Sequence, residues 1–178
     1  TGNGVYANGE DGYASFGDNS RIEVPLGAVD FGDEVTISFW SYGDENILPV
    51  NTSVFEAANH IGQRVLNVHL PWSNGSVYWD AGEGSGYDRI NKASNAAQFS
   101  GTWTHWAFTK NATTGTMKIF LNGTQWMSGT DKNRTLGEIR NLIIGRGLNG
   151  NPYPGKIDEF QMWTKELSEQ EIQDWMNK

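Results

Sequence analysis

The sequence predicts an all-β fold, a two-sheet antiparallel β-sandwich closed by one short C-terminal helix. Three observations carry this. Strand-length runs recur between turn signals along the whole chain. Gly (22) and Asn (17) make up over a fifth of the 178 residues, too many turn formers for a helical bundle. A single helix-start signature stands near the C-terminus. The length suits one domain, residues 1–178, with a core large enough to fold without staples.

The strand candidates are Gly12–Phe16, Ser20–Pro25, Glu34–Tyr42, Ser53–Ala57, Arg64–Leu70, Ser76–Ala81, Thr102–Asn111, Thr116–Asn122, Arg140–Gly145 and Lys156–Trp163. Asn74-Gly75 and Asn122-Gly123 fall where tight reversals belong, because both residue types tolerate positive φ. Residues 43–52, 82–100 and 128–138 read as long loops, and loops of that length are usually functional. The helix starts at Ser168-Glu169-Gln170-Glu171, a capping box, with Leu167 and Ile172 as its hydrophobic staple. Ile172, Trp175 and Met176 share its apolar face, which is expected to close one end of the sandwich.

Composition excludes several functions. A net charge of −8 argues against a nucleic-acid partner, whose phosphates are held by Lys and Arg. No apolar run approaches the 18 residues that a membrane-spanning helix needs. Cys is absent, as is ordinary in a bacterial secreted module. The chain opens on Thr1 and reads as a mature or excised module. Its five Asn-x-Ser/Thr sequons fit chance in an Asn- and Thr-rich sequence.

Alternation assigns faces, since neighbouring side chains on a strand point opposite ways. Val35, Ile37, Phe39, Leu66, Val68, Leu70, Val77, Trp79, Trp106 and Phe108 face the core. Trp40, Asn67, His69, Tyr78, Asp80 and His105 face outward. If these strands pair in one sheet, the outward residues make one surface, with Trp72 and Tyr87 on adjoining loops and Arg89 at its flank. An ordinary solvated face explains any one of them. Several aromatics beside His and Asp favour a binding surface, because a sugar ring stacks on an aromatic while its hydroxyls need planar polar partners. His69, Asp80 and His105 are also conceivable as an acid–base set or a metal triad.

The order of motifs is family-like. Glu34-Val-Thr-Ile-Ser-Phe-Trp40 precedes Gly101-Thr-Trp-Thr-His-Trp-Ala-Phe108 and Met117-Lys-Ile-Phe-Leu-Asn-Gly123. Gly155-Lys-Ile-Asp-Glu-Phe160 and Leu167-Ser168-x-x-Glu171-Ile172 follow. Over nearly its whole length the chain resembles the laminin G-like, concanavalin A-like jelly-roll superfamily in its bacterial extracellular form. That resemblance implies a carbohydrate-binding, lectin-like module of a secreted or cell-surface multidomain protein, with an oligo- or polysaccharide as partner. An adhesion or protein-interaction module, binding through loops, is the alternative, and a glycoside hydrolase or polysaccharide lyase of the same fold is a third reading.

The resemblance also implies a structural calcium between the N-terminal segment and the closing strand. Asp158 matches the family's Ile-Asp motif and alternates with Phe160 and Met162, which would aim it inward. Asp18 and Asn19 are the expected partners, with carbonyls from 8–11, although Phe16-Gly17-Asp18 stands where the family turn reads Phe-Asp-Gly. Pairing of Asp158 with Arg or backbone amides is the other reading. Enzymes of this fold set carboxylates at alternate positions of one strand, Glu-x-Asp-x-Glu. No such triplet occurs, and Asp44-Glu45 and Asp158-Glu159 are adjacent. The lyase relatives' Gln-x-His strand has only Asn67-Val68-His69 as a counterpart, without an Arg-rich partner strand. A non-catalytic module is therefore expected.

Overall fold

A computed structural model describes residues 12–18, 20–84 and 86–178. Its first sheet contains β1 (Ala14–Phe16), β3 (Glu34–Gly43), β8 (Thr104–Asn111), β9 (Thr116–Leu121), β10 (Thr124–Gly129) and β12 (Gly155–Trp163), in the order β1-β12-β3-β8-β9-β10. The second contains β2 (Ile22–Asp30), β4 (Phe55–Ala58), β5 (Arg64–His69), β6 (Ser76–Ala81), β7 (Asp88–Ala93) and β11 (Glu138–Ile144), in the order β2-β11-β4-β5-β6-β7. Every pairing is antiparallel. The helices are α1 (Ala96–Phe99) and α2 (Glu169–Met176). This is the expected two-sheet sandwich. Two strands, β7 and β10, form where the sequence suggested a loop or a turn.

Alternation holds well on the inner faces. Val35, Ile37 and Phe39 of β3 are buried against Leu66, Val68, Trp79, Trp106 and Phe108 in one core. Phe39 stacks on Phe108 and meets Phe55 edge-on, so aromatic rings from both sheets interlock. Two polar links cross the same interior. Trp79 donates its indole N–H to the Thr109 carbonyl at 2.9 Å. Lys110 of β8, fully buried, donates to Asp88 of β7 at 2.7 Å and to the Lys132 carbonyl at 2.8 Å. A buried ammonium is tolerable because its protons are taken up in this way. Burial alone would raise the Asp88 pKa; the Lys110 ammonium and the Arg134 amide together hold it below its ordinary value.

The turns follow the chemistry of their residues. Asn122 and Gly123 take φ of 48° and 77° between β9 and β10, a reversal for which this dipeptide is suited. Ser168 caps α2: its hydroxyl accepts from the Glu171 amide while the Glu171 carboxylate accepts from the Ser168 amide. The helix does not close an end of the sandwich. Ile172 and Leu167 pack on Ala107 and Phe120, which lie on the outer face of the first sheet, so α2 covers part of that face.

Candidate functional site

The first and second sheets divide the expected binding surface. Trp40 pairs with His105 on the outer face of the first sheet, their rings 5.3 Å apart and edge-on. Asn67, His69, Tyr78 and Asp80 lie on the outer face of the second. One continuous surface for all of them is thus excluded, because the strands carrying them do not share a sheet. The other six expected contacts, His69, Trp72, Tyr78, Asp80, Tyr87 and Arg89, do come together.

The register builds this cluster. Glu56, Asn67, Asp80 and Arg89 stand opposite one another across β4, β5, β6 and β7, and His69 stands beside Tyr78 in the next row. These side chains point away from the core, yet Glu56, Asn67, His69 and Asp80 are all buried. Arg64 and Arg89 roof them. Arg89 grips Asp80 with Nε at 2.5 Å and Nη2 at 2.7 Å, while Arg64 reaches Asp80 at 3.4 Å and Glu56 at 3.0 Å. Two guanidiniums thereby balance two carboxylates that have left water. The pairing with Asp80 is the chief cause of a raised Arg89 pKa.

Tyrosines flank the cations. Arg89 lies 4.9 Å from the Tyr78 ring and 5.1 Å from the Tyr87 ring, and Arg64 lies 5.7 Å from Tyr87. Trp72 meets His69 edge-on at 4.5 Å. Burial lowers the His69 pKa, which favours the neutral ring. Its Nδ1–H donates to the Thr52 carbonyl, and Nε2 accepts from Asn67 Nδ2 at 3.0 Å. Above these groups opens a cup of about 310 Å³, lined by Arg64, His69, Trp72, Tyr78, Tyr87, Arg89 and Asn151. Asp80 is not among its walls; it is the anchor beneath them.

Arg64, Glu56 and Asn151 were not anticipated. Strict alternation puts Arg64 on the same face as Leu66, but a bulge in β5 buries Val65 and Leu66 together and turns Arg64 outward. Glu56 was legible, since it alternates with Phe55 and Ala57. Asn151 comes from a distant loop with no local signal.

The expected calcium ligands are not brought together. Phe16 pairs with Gly155 and Ala14 with Ile157, so Asp18 and Asp158 lie past opposite ends of β1, on the order of 10–15 Å apart along the strand. That is too far to share an ion with ligands at about 2.3–2.6 Å. Nor does Asp158 point inward. A bulge at Glu159 (φ 48°) breaks the alternation, placing Asp158 beside Trp40 on the outer face while Phe160 remains against the core. One Asp158 oxygen accepts from the Glu159 amide at 2.8 Å. Asn19 and residues 8–11 lie outside the described residues. Among the described residues no three His, Asp or Glu side chains gather to hold a metal. Asp18 instead lines a larger cleft of about 610 Å³ with Asp44, Glu45, Ile47 and Val50.

The sequence signature described as the concanavalin A-like lectin/glucanases superfamily matches residues 8–173. Among solved structures, the botulinum neurotoxin serotype D ligand-binding domain in complex with N-acetylneuraminic acid aligns with a TM-score of 0.70 at 16% identity, over 90% of this chain and 40% of that one. The binding domain of botulinum neurotoxin DC in complex with rat synaptotagmin II aligns with a TM-score of 0.63 at 19% identity, over 82% and 35%. The serotype G binding domain gives 0.67 at 14% identity, over 92% and 41%. The chain therefore spans about two fifths of the length of these neurotoxin domains, and the likeness is one of fold. No curated protein matches its sequence.

Proposed function

Because the chain belongs to the concanavalin A-like lectin/glucanases superfamily, we propose that it is a non-catalytic carbohydrate-binding module whose ligand seats in the cup on the outer face of the second sheet. One observation supports this above the rest: Trp72, Tyr78 and Tyr87 surround two guanidiniums that are braced from below by buried carboxylates. Aromatic faces take the apolar side of a sugar ring, and a braced guanidinium offers fixed donors to its rim. Stacking one ring face removes about 50 Å² of apolar surface from water, on the order of 1 kcal/mol. Several contacts are needed for ~mM to μM affinity, which favours an oligosaccharide. Titration of a glycan panel should show binding that Tyr78→Ala weakens several-fold without lowering the melting temperature by more than a few degrees. Equal affinity in wild type and variant would overturn the reading.

The module is proposed to belong to a larger extracellular or cell-surface protein of a bacterium, as the family resemblance implies. A structural calcium also remains a proposal, with Asp18 as its carboxylate and backbone carbonyls as its other oxygens. Excess chelator should then lower the melting temperature by roughly 5–10 °C; an unchanged melt of protein shown to contain calcium would remove the ion from the reading. A protein ligand on the loops is the second reading. It is supported by the size of the Asp18 cleft and by Ile47, half exposed at its wall. The neurotoxin domains likewise include one in complex with a sugar and one in complex with a protein.

A further inference from the structure

Resting on the carbohydrate reading of the cup, we infer that its ligand is an anionic glycan, recognised through a carboxylate or another charged oxygen group. The inference comes from a count of donors and acceptors. Arg89 uses Nε and Nη2 on Asp80 and Tyr87, leaving the two Nη1 protons without a partner among the described residues. Arg64 uses one proton each of Nη1 and Nη2, and its Nε–H is unpartnered there as well. The Tyr87 hydroxyl accepts from Arg89 at 3.2 Å and the Tyr78 hydroxyl accepts from Asn74 at 2.8 Å, so both phenol protons are free to donate. On the acceptor side, His69 Nε2 is already taken by Asn67, which leaves the amide oxygen of Asn151, beside an amide nitrogen that donates.

The cup thus presents mostly donors. A neutral sugar hydroxyl carries a proton that needs an acceptor, whereas a carboxylate or sulfate only accepts. The carboxylates of Asp80 and Glu56 are buried below the floor and turned toward the guanidiniums, leaving cations as the charged groups on the walls. The two guanidiniums are balanced by the two carboxylates beneath them, so in a protein of net charge −8 the cup is locally neutral, with its donors facing outward and its acceptors turned inward. Arg89 has spent its fork on Asp80 and offers only its Nη1 protons, whereas Arg64 keeps Nε–H and one Nη2 proton, the edge that fits a carboxylate with two parallel hydrogen bonds.

Affinity electrophoresis through polygalacturonate, alginate and glucuronoxylan, through their carboxyl-reduced forms, and through a sulfated galactan tests this. Retardation by at least one acidic polymer and not by its reduced form is expected, weakening as salt rises. A sulfated arm that retards equally identifies the anion as exchangeable, and one that does not assigns the carboxylate. Tyr87→Phe removes one donor while keeping the ring under both guanidiniums, and Arg64→Lys keeps the charge without the free edge. Each should weaken acidic binding, the second by about tenfold. Neutral and acidic forms binding alike would overturn the inference and leave the carbohydrate reading standing. No retardation by any acidic or neutral polymer, with no response on a neutral glycan panel, would remove both.

Discussion

The Asp80 side chain has no exposed surface, and its burial is tolerable because Arg89 and Arg64 pair with it. Asp80→Asn should strand Arg89 and Arg64 over a neutral amide and cost about 3–5 kcal/mol, read as a drop in urea midpoint. Retained stability would mean that the guanidiniums find water instead. His105 makes a different residue-scale prediction. Its Nδ1 is buried without a partner among the described residues, and burial pushes its pKa down to about 4 from 6.5. The folded state therefore refuses a proton that the unfolded chain accepts. Stability is complete above pH ~6.5 and falls toward pH ~4, by up to roughly 3 kcal/mol. His105→Gln should flatten that slope in urea titrations across the window. A slope unchanged by the substitution would assign it to other groups. At this scale the sequence was informative: alternation put His69, Tyr78 and Asp80 outward, and they are outward. It did not reveal that outward residues become buried, because the roof depends on a bulge in β5 that turns Arg64 outward and on Arg89 from β7, a strand the sequence did not show.

Elements were read well where their periodicity is unbroken and badly where one residue is inserted. β3 and β8 keep strict alternation, and their inner faces match expectation residue by residue. β5 and β12 each carry a bulge; the one in β12 inverts the reading for Asp158, and the one in β5 brings Arg64 outward where strict alternation would not. β7 was missed because Asp-Arg-Ile-Asn-Lys-Ala is a poor strand by propensity; it forms because β6 offers it a ladder and Ile90 an anchor in the core. The bulge in β12 can be tested. Glu159 holds a left-handed conformation that costs an L-residue about 1 kcal/mol or more. Glu159→Gly should therefore leave stability unchanged or raise it by up to about 1 kcal/mol, despite the extra freedom of the unfolded chain. A clear loss in melting temperature would mean that the Glu159 side chain, not the backbone, maintains the bulge. The C-terminal helix was recognisable from its capping box, but its place on the first sheet was not, since a capping box says where a helix starts and nothing of what it covers.

The whole molecule is a sandwich with one outer face partly covered by α2 and the other opened into a cup. Sheet membership could not be derived from order along the chain: β3 and β4 are consecutive and lie in different sheets, so Trp40 and His69 were grouped although a whole core separates them. The arrangement also bears on chemistry. Both ring nitrogens of His69 are engaged and Asp80 is held by two guanidiniums, so neither of these two groups is free to act as an acid or base in the cup. Incubation with polysaccharides should release no reducing ends and no unsaturated sugars; steady release that is lost in His69→Ala would overturn this. The buried lysine strut has a last consequence. Asp88, which Lys110 holds across the interior, immediately precedes Arg89 on the same edge strand. The cup's principal cation is thus mounted on a post anchored in the opposite sheet. A wall fixed in advance has little left to rearrange when a ligand arrives, so association should be a one-step encounter. In stopped-flow mixing, the observed rate should rise linearly with ligand concentration. In Lys110→Met, which frees the post, the rate should instead reach a plateau set by the time the strand takes to settle.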